Sequence, residues 1–230
     1  MPIALVLVAA ALLLTFTGQD TPPAASSDSL VQRYLHRTVR TPKTYRATRR
    51  LEGANPRFKK TGWIEAVTEL SDDKFTFTIT SRGGSEMVQN RALIPVLEAE
   101  RDLSKESNAF EITEANYRFT EAAPDGDHHA RIRLDPKRKD KRLLDGFLVL
   151  TPDGDVIEIN GKLSKSPSFW TSNVQVTRKY GHVDGIRVPI SVTSAADVRL
   201  AGRSTFSMTY TFQAIDGSPV SKGAPQAARD

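Results

Sequence analysis

The chain contains no cysteine among its 230 residues, and this absence excludes several kinds of protein chemistry. It excludes a disulfide framework, a thiol nucleophile and a cysteine that could be acylated to anchor the protein as a lipoprotein. The fold must therefore be stabilised by its core. A chain of this length can form one sizeable domain that buries about 70% of its unfolded surface.

Histidine is scarce as well, and familiar catalytic motifs are missing. His128 and His129 are neighbours in a strand-like stretch, so their side chains point to opposite faces and cannot readily bind one metal together. His36 and His182 stand at no known ligand spacing, and no G-x-S-x-G nucleophile elbow occurs. We therefore predict no catalytic residue, no metal and no cofactor, and a protein that is not an enzyme.

One long apolar run occurs, at the N-terminus. Residues 3–17 are uncharged, and the first Lys or Arg is Arg33. Because a helix needs about 20 apolar residues to cross a bilayer, this run of 15 residues fits the apolar region of a secretory signal better than a membrane span. We predict that residues 1–25 direct export to the periplasm, with an uncleaved membrane anchor as the alternative. Residues 26–220 then form one domain, and residues 221–230 a disordered tail.

The clearest structural signal lies between residues 144 and 212. Strand-like runs such as VIEINGKL, NVQVTRKY and RSTFSMTYTF alternate with turns rich in Pro, Asp and Gly. This pattern is typical of a broad antiparallel sheet with one apolar face. NYRFTEA and HHARIRL predict two further strands of the same kind.

The N-terminal half of the domain predicts two helices and three strands. Asp28 can cap a first helix, which Pro42 ends. YRATRRLEG, RFKKTGWIEAVTEL and KFTFTITS follow as strands, the last two joined by a turn at residues 71–73. Ser85 begins a second helix in which Pro95 should cause a bend or a split. The apolar side of the second helix should carry Val88, Ala92, Leu93, Val96 and Leu97. The fold class is α+β, mostly β.

Positive charge is concentrated in residues 136–142, PKRKDKR, within a chain of net charge +5. Since an exported chain does not meet nucleic acid, we predict no nucleic-acid partner. Two interpretations remain: a solvated loop between two strands, or a patch that contacts anionic lipid or an acidic partner. The cations of this basic loop are Lys137, Arg138, Lys139, Lys141 and Arg142.

The predicted elements follow one another as an export signal, a helix, three strands, a helical crossing and a run of hairpins. This order resembles that of the LolA/LolB-like superfamily of exported bacterial lipoprotein-sorting proteins. The superfamily includes RseB-type periplasmic sensors. The stretch over residues 166–212, SPSFWTSNVQVTRKYGHVDGIRVPISVTSAADVRLAGRSTFSMTYTF, is similar in texture to proteins of that superfamily. The resemblance covers nearly the whole chain after residue 25. The missing cysteine departs from LolB-like lipoproteins and is closer to a soluble LolA-like carrier.

The resemblance implies a strongly curved antiparallel sheet, an unclosed barrel, covered by helices that enclose an apolar cavity for acyl chains. The expected function is a periplasmic carrier of lipid or acylated lipoprotein cargo, working as a monomer with membrane acceptor proteins. A periplasmic sensor or protein-interaction module on the same scaffold is the alternative. From the alternation of the strands, the cavity should be lined by Trp63 (or its neighbour Ile64), Phe75, Phe77, Phe206, Met208, Tyr210 and Phe212. Such alternation is also typical of an ordinary packed core.

Overall fold

A computed structural model describes residues 29–71, 74–103, 111–124, 129–151 and 154–221. These residues are mostly β, and their strands form one large antiparallel sheet with short helices beside it. The strands are β1 (Tyr45–Asn55), β2 (Lys60–Ser71), β3 (Lys74–Gly84), β4 (Tyr117–Ala122), β5 (Ala130–Pro136), β6 (Leu144–Leu150), β7 (Val156–Leu163), β8 (Thr171–Val183), β9 (Ile186–Val198), β10 (Gly202–Ile215) and β11 (Ser218–Pro219). The helical segments are α1 (Leu30–His36), a 3-10 turn (Pro56–Phe58), α2 (Glu86–Val88), a π-helical turn (Gln89–Leu93) and α3 (Ile94–Leu103).

The strands are ordered β3-β2-β1-β10-β9-β8-β7-β6-β5-β4, with β11 paired to β10. Neighbouring strands are antiparallel throughout the described residues, which confirms the predicted sheet. The pairing of β1 with β10 joins the two ends of the domain. The sheet is not closed, since β3 and β4 lie at opposite edges.

The two faces of the sheet differ in chemistry. One row across the strands consists of Ile132, Leu148, Ile159, Arg178, Val192, Met208, Leu51 and Ile64. Apart from the arginine, each of these side chains is apolar and at most 2% exposed. We call this the inward row and its side of the sheet the inward face. The outward face presents residues such as Glu52, Thr177, Thr193 and Ser207, as expected for a sheet with one solvated side.

Residues 86–103, which comprise α2, the π-helical turn and α3, form a crossing helix over β1, β2 and β3. A Cβ atom on Gly53 would lie 2.9 Å from Val88 Cγ1, and one on Gly62 would lie 2.9 Å from the Ser85 carbonyl oxygen. Glycine is therefore needed at both places for this close approach. All five residues predicted for the apolar side are buried.

Near Pro95, where the sequence predicted a bend or a split, the crossing helix changes its hydrogen bonding. The helix passes through a π-helical turn at Gln89–Leu93 and resumes α-helical geometry at Ile94. Proline has no N–H group to donate to the carbonyl four residues before it, so a local change of hydrogen bonding is expected there.

The first helix begins at Leu30, and its N-cap is Ser29, whose hydroxyl accepts a hydrogen bond from the N–H of Gln32 at 3.3 Å. The predicted cap Asp28 lies outside the described residues. Tyr34 packs on Phe119 of β4, with ring centroids 5.7 Å apart. The helix therefore lies beside the opposite edge of the sheet from the crossing helix.

The strands β6 and β7 approach each other very closely at Gly146 and Gly161. A Cβ atom on Gly146 would lie 2.0 Å from the Asn160 carbonyl oxygen and 2.4 Å from the Gly161 Cα atom. No side chain fits between the strands here, which is typical of a tight bend in a sheet.

Several sequence predictions fall outside the described residues: the signal at residues 1–25, the turn residues 72–73, His128, and residues 222–230 of the tail. Across the described ranges, no helix combines the length and the apolar character needed to span a bilayer.

Candidate ligand-binding site

Six of the seven predicted lining residues lie on the inward face. Phe206, Met208, Tyr210 and Phe212 alternate along β10, and their partners on β1 are the inward residues of that strand. The rings of Tyr210 and Phe212 are stacked with centroids 6.1 Å apart. Phe75 and Phe77 share the inward face of β3, two strands beyond β1, with ring centroids 6.3 Å apart. The structure thus brings two aromatic groups to one side of the sheet.

Trp63 lies on the other side. It is paired with Glu52 on the outward face, and the Arg50 guanidinium lies 4.2 Å from the centroid of its ring. Ile64, the alternative at this place, is fully buried on the inward face. Ile64, and not Trp63, therefore belongs with the other six residues.

A buried ion pair connects the two aromatic groups to the crossing helix. Arg49 of β1 donates two hydrogen bonds to Glu100 of α3, from Nη1 to Oε2 at 2.6 Å and from Nη2 to Oε1 at 2.9 Å. Nη2 also donates to the Tyr45 hydroxyl at 2.6 Å. The guanidinium lies 5.0 Å from the ring centroid of Phe75 and 4.6 Å from that of Tyr210. The side chains of the pair are only 2% and 4% exposed.

The electrostatics of this cluster follow from its burial. Burial opposes the positive charge of Arg49, but Glu100 and the neighbouring tyrosines outweigh that effect and raise the Arg49 pKa well above its usual value. Burial also raises the pKa of Tyr45 and of Tyr210. Arg49 is therefore a permanent cation inside the protein, held by one bidentate carboxylate.

Sequence reasoning missed this pair, although a signal for it exists. In YRATRRL, residues Ala47, Arg49 and Leu51 share one strand face, and an arginine between two apolar inward residues indicates an internal partner. The position of Glu100 opposite it depends on the path of the crossing helix and could not be read locally.

Large apolar side chains are exposed at one end of the sheet, where β1, β3, β7 and β9 end. Those with the greatest exposure among the described residues are Phe58 (47%), Met87 (39%), Phe169 (76%), Trp170 (41%) and Leu200 (68%). We call this end of the sheet the hydrophobic end. Exposed apolar patches of this kind mark interaction surfaces.

The loops of the hydrophobic end are joined by specific contacts. The Arg199 N–H donates to the Trp170 carbonyl oxygen at 2.7 Å, and the Arg199 guanidinium lies 4.9 Å from the ring centroid of Phe169. Phe58 and Met87 together line a cavity of about 40 Å³ that Ala201, next to Leu200, also borders. Phe58 and Met87 are therefore neighbours, and so are Phe169 and Trp170, whose ring centroids lie 5.4 Å apart.

The basic loop lies at this same end, between β5 and β6. The N–H of Asp140 donates to the Ser164 hydroxyl at 3.0 Å, which joins the basic loop to the segment that leads to Phe169. Lys137, Lys139 and Lys141 are exposed. The hydrophobic end thus combines aromatic residues with positive charge.

The outward face carries a trough of about 650 Å³ across β2, β1, β10, β9 and β8. Its lining includes hydroxyl and amide side chains such as Thr177, Thr193, Ser207 and Gln175, with Trp63 at one end. This polar surface differs in character from the inward face, where the acyl-binding residues were predicted.

Among the described residues, no group of three or more His, Cys, Asp or Glu side chains is placed to hold a metal ion. Comparison with known proteins adds no identification: no family model matches the chain, and no curated protein matches it.

Proposed function

We propose that the protein binds and carries an acyl chain, free or attached to a lipoprotein, in a space between the inward face and the crossing helix. The observation that carries the proposal is the pair of aromatic groups on β10 and β3, which lie on the same side of an unclosed sheet as the crossing helix that covers β1, β2 and β3. The proposal includes a periplasmic location and the LolA-like curved sheet with a helical lid. The close approach of Gly146 and Gly161 supports strong curvature.

Acyl binding of this kind needs no catalytic residue. Each buried CH₂ group contributes about 0.8 kcal/mol, so a 16-carbon chain gains on the order of 10 kcal/mol from an apolar space alone. The crossing helix must move to admit such a chain. Among the described residues, the buried ion pair between the crossing helix and the sheet is Arg49–Glu100. The crossing helix can therefore move away from the sheet only if this pair breaks.

The hydrophobic end supports a role at a membrane. Aromatic residues favour the interface between lipid head groups and hydrocarbon, and lysines and arginines are attracted to anionic lipid. Phe169, Trp170 and the basic loop supply both features at one end of the sheet. We propose that this end approaches the bilayer when cargo is taken up or released.

Met208→Trp tests the acyl-binding space directly. If the residue borders a space for an acyl chain, the larger ring fills that space, leaves thermal stability near wild type, and lowers uptake of a fluorescent fatty-acyl probe. In a core without such a space, overpacking destabilises by about 1–3 kcal/mol. Thr209→Trp, on the outward face of the same strand, is the matched control and should leave uptake unchanged. A destabilised Met208→Trp protein whose parent never binds the probe would contradict the proposal.

A periplasmic sensor or protein-interaction module is the second candidate. The observation that favours it is the exposure of Phe169 and Trp170, since aromatic residues are enriched at protein interfaces. Lipid extraction of the purified protein separates the two functions. A carrier retains lipid and releases it to vesicles, whereas a sensor yields no lipid and holds a protein partner stably.

A further inference from the structure

Arg178 occupies an exceptional position on the inward face. It lies on β8 in the middle of the inward row, with Ile159 beside it on β7 and Val192 beside it on β9. Arg178 is 7% exposed, and these two neighbours are 2% and 1% exposed. It is the one polar residue of the inward row.

No partner for this charge is found among the described residues. Nε of Arg178 is buried without a hydrogen bond, and its guanidinium forms no hydrogen bond or ion pair with any described side chain. The hydroxyl of Tyr180, two residues along the same strand, is also buried and without a partner. Both groups lie close enough to Tyr210 to influence its pKa, so they belong to one neighbourhood of the interior.

Three carboxylates that form contacts inside the domain are each bonded to groups other than Arg178. Glu100 is held by both terminal nitrogens of Arg49. Asp155 accepts a hydrogen bond from Arg187 at 3.2 Å and lies 2.9 Å from His182 Nε2. Glu121 accepts from a backbone N–H of α1 at 2.6 Å. Arg178 therefore lacks an anionic partner among the described residues.

An unpaired buried charge is strongly unfavourable, and replacement of buried charges by apolar residues of similar size is often neutral or stabilising. A methionine in this place would complete the apolar inward row. The presence of arginine with a free tyrosine hydroxyl nearby therefore indicates a group that comes from outside the chain.

We propose that Arg178 binds the carboxylate of an acyl-chain ligand, with the chain lying along the inward row towards Met208 and Leu51. The planar guanidinium matches a carboxylate in a bidentate arrangement, and the hydroxyl of Tyr180 can donate a further hydrogen bond. A single free guanidinium balances a single negative charge, whereas a phosphate monoester carries about −1.5 to −2 at neutral pH. This inference rests on the proposed function and adds the chemical class of the head group.

The test is displacement of the neutral dye Nile red from the full-length protein at pH 8 by dodecanoic acid, dodecanol and monododecyl phosphate. The wild type should bind the acid about 10- to 100-fold more tightly than the alcohol, as expected for hydrogen bonds to a charged group. Arg178→Met should bind both equally, keep the wild-type affinity for the alcohol, and melt no lower than the wild type. Arg118→Met, which removes an exposed cation paired with Asp135 on the outward side, is the matched control and should keep the preference for the acid.

The outcomes separate the two proposals. Equal binding of acid and alcohol by the wild type would overturn the role of Arg178 and leave the carrier function standing. Tighter binding of the phosphate than of the acid would overturn the assignment to a carboxylate. An acid preference that survives Arg178→Met would place the anion elsewhere. Failure of all three amphiphiles to displace the dye would overturn the acyl-binding function itself.

Discussion

Separation of the Arg49–Glu100 pair should have a large effect on stability. In Arg49→Met the Glu100 carboxylate stays buried in α3 without its cation, and in Glu100→Gln the Arg49 charge stays buried without its anion. Removal of one partner of such a pair raises the free energy of the folded state by about 3–5 kcal/mol. For a domain of 150–250 residues, 1 kcal/mol shifts Tm by about 2–4 °C, so each single variant should melt about 6–20 °C below the wild type.

The chain supplies a matched control at the next position. Arg50 also bonds carboxylates, Glu52 at 2.7 Å and Glu65 at 3.1 Å, but on the outward face with 38% of its side chain exposed. Exposed ion pairs contribute about 0–1 kcal/mol. Arg50→Met should therefore change Tm little, although it removes the same side chain from the same strand.

The double variant Arg49→Met/Glu100→Leu completes the thermodynamic cycle. Replacement of both partners by apolar residues leaves no buried charge unpaired, so its stability should return to near that of the wild type. Urea unfolding gives the four free energies, and hydrogen exchange shows whether the amides of α3 lose protection first in the single variants. The reasoning would be refuted if Arg49→Met destabilised no more than Arg50→Met, or if the two single effects simply added in the double variant.

Two further predictions concern the surface. Neutralising the five cations of the basic loop to glutamine should weaken binding to anionic vesicles at low salt, since each contributes about 1 kcal/mol near such a membrane; unchanged vesicle binding with unchanged stability would leave the run as a solvated loop. At the turn after β10, burial works against the Asp216 carboxylate, but the N–H groups of Thr44 and Lys43 and the Arg40 cation outweigh it and lower the Asp216 pKa. The pKa of Asp216 in the folded state lies below its unfolded value of about 3.9. Its contribution to the free energy of unfolding is therefore complete at pH values above the unfolded pKa and is lost as the pH falls through the folded-state pKa. Asp216→Asn should therefore be less stable than the wild type in urea at pH 7 and approach it at pH 2; a difference that does not depend on pH would contradict this.

Alternation of apolar and polar residues was sufficient to predict the strands, because the period of two is a local property. It also predicted the inward alternates of β10, from Phe206 to Phe212. The pairing of β1 with β10 is different in kind. It joins residues more than 150 positions apart, such as Leu51 with Met208, and no local pattern specifies which two strands meet.

The assignment of Trp63 illustrates the limit of reasoning from residue type. A large aromatic residue suggests the interior, yet Trp63 alternates with Glu65, whereas Ile64 alternates with the buried Ala66. The neighbours at two-residue spacing were the better guide, because a strand cannot turn one side chain inward without its alternates. The Trp63 ring instead packs over Gly83 on the neighbouring strand. A Cβ atom on Gly83 would lie only 2.7 Å from the indole nitrogen, so the missing side chain leaves room for the ring.

The same attention to alternate residues distinguishes two arginines on the inward face. Arg49 and Arg178 both occupy inward positions between apolar alternates, and both are more than nine-tenths buried. Arg49 has an internal carboxylate and an aromatic surround, so the fold itself explains it. Arg178 has no internal acceptor among the described residues, and its Nε is buried without a hydrogen bond. Arg49 thus fixes the crossing helix over β1 to β3, whereas Arg178 leaves a cationic site on the inward side of β8. Strands β1 and β8 are three positions apart in the sheet, or about 14 Å at the usual strand spacing. In the proposed acyl-binding space, the tied helix at one side and the cation at the other would discriminate between ligands by their head group, which a purely apolar cavity cannot do.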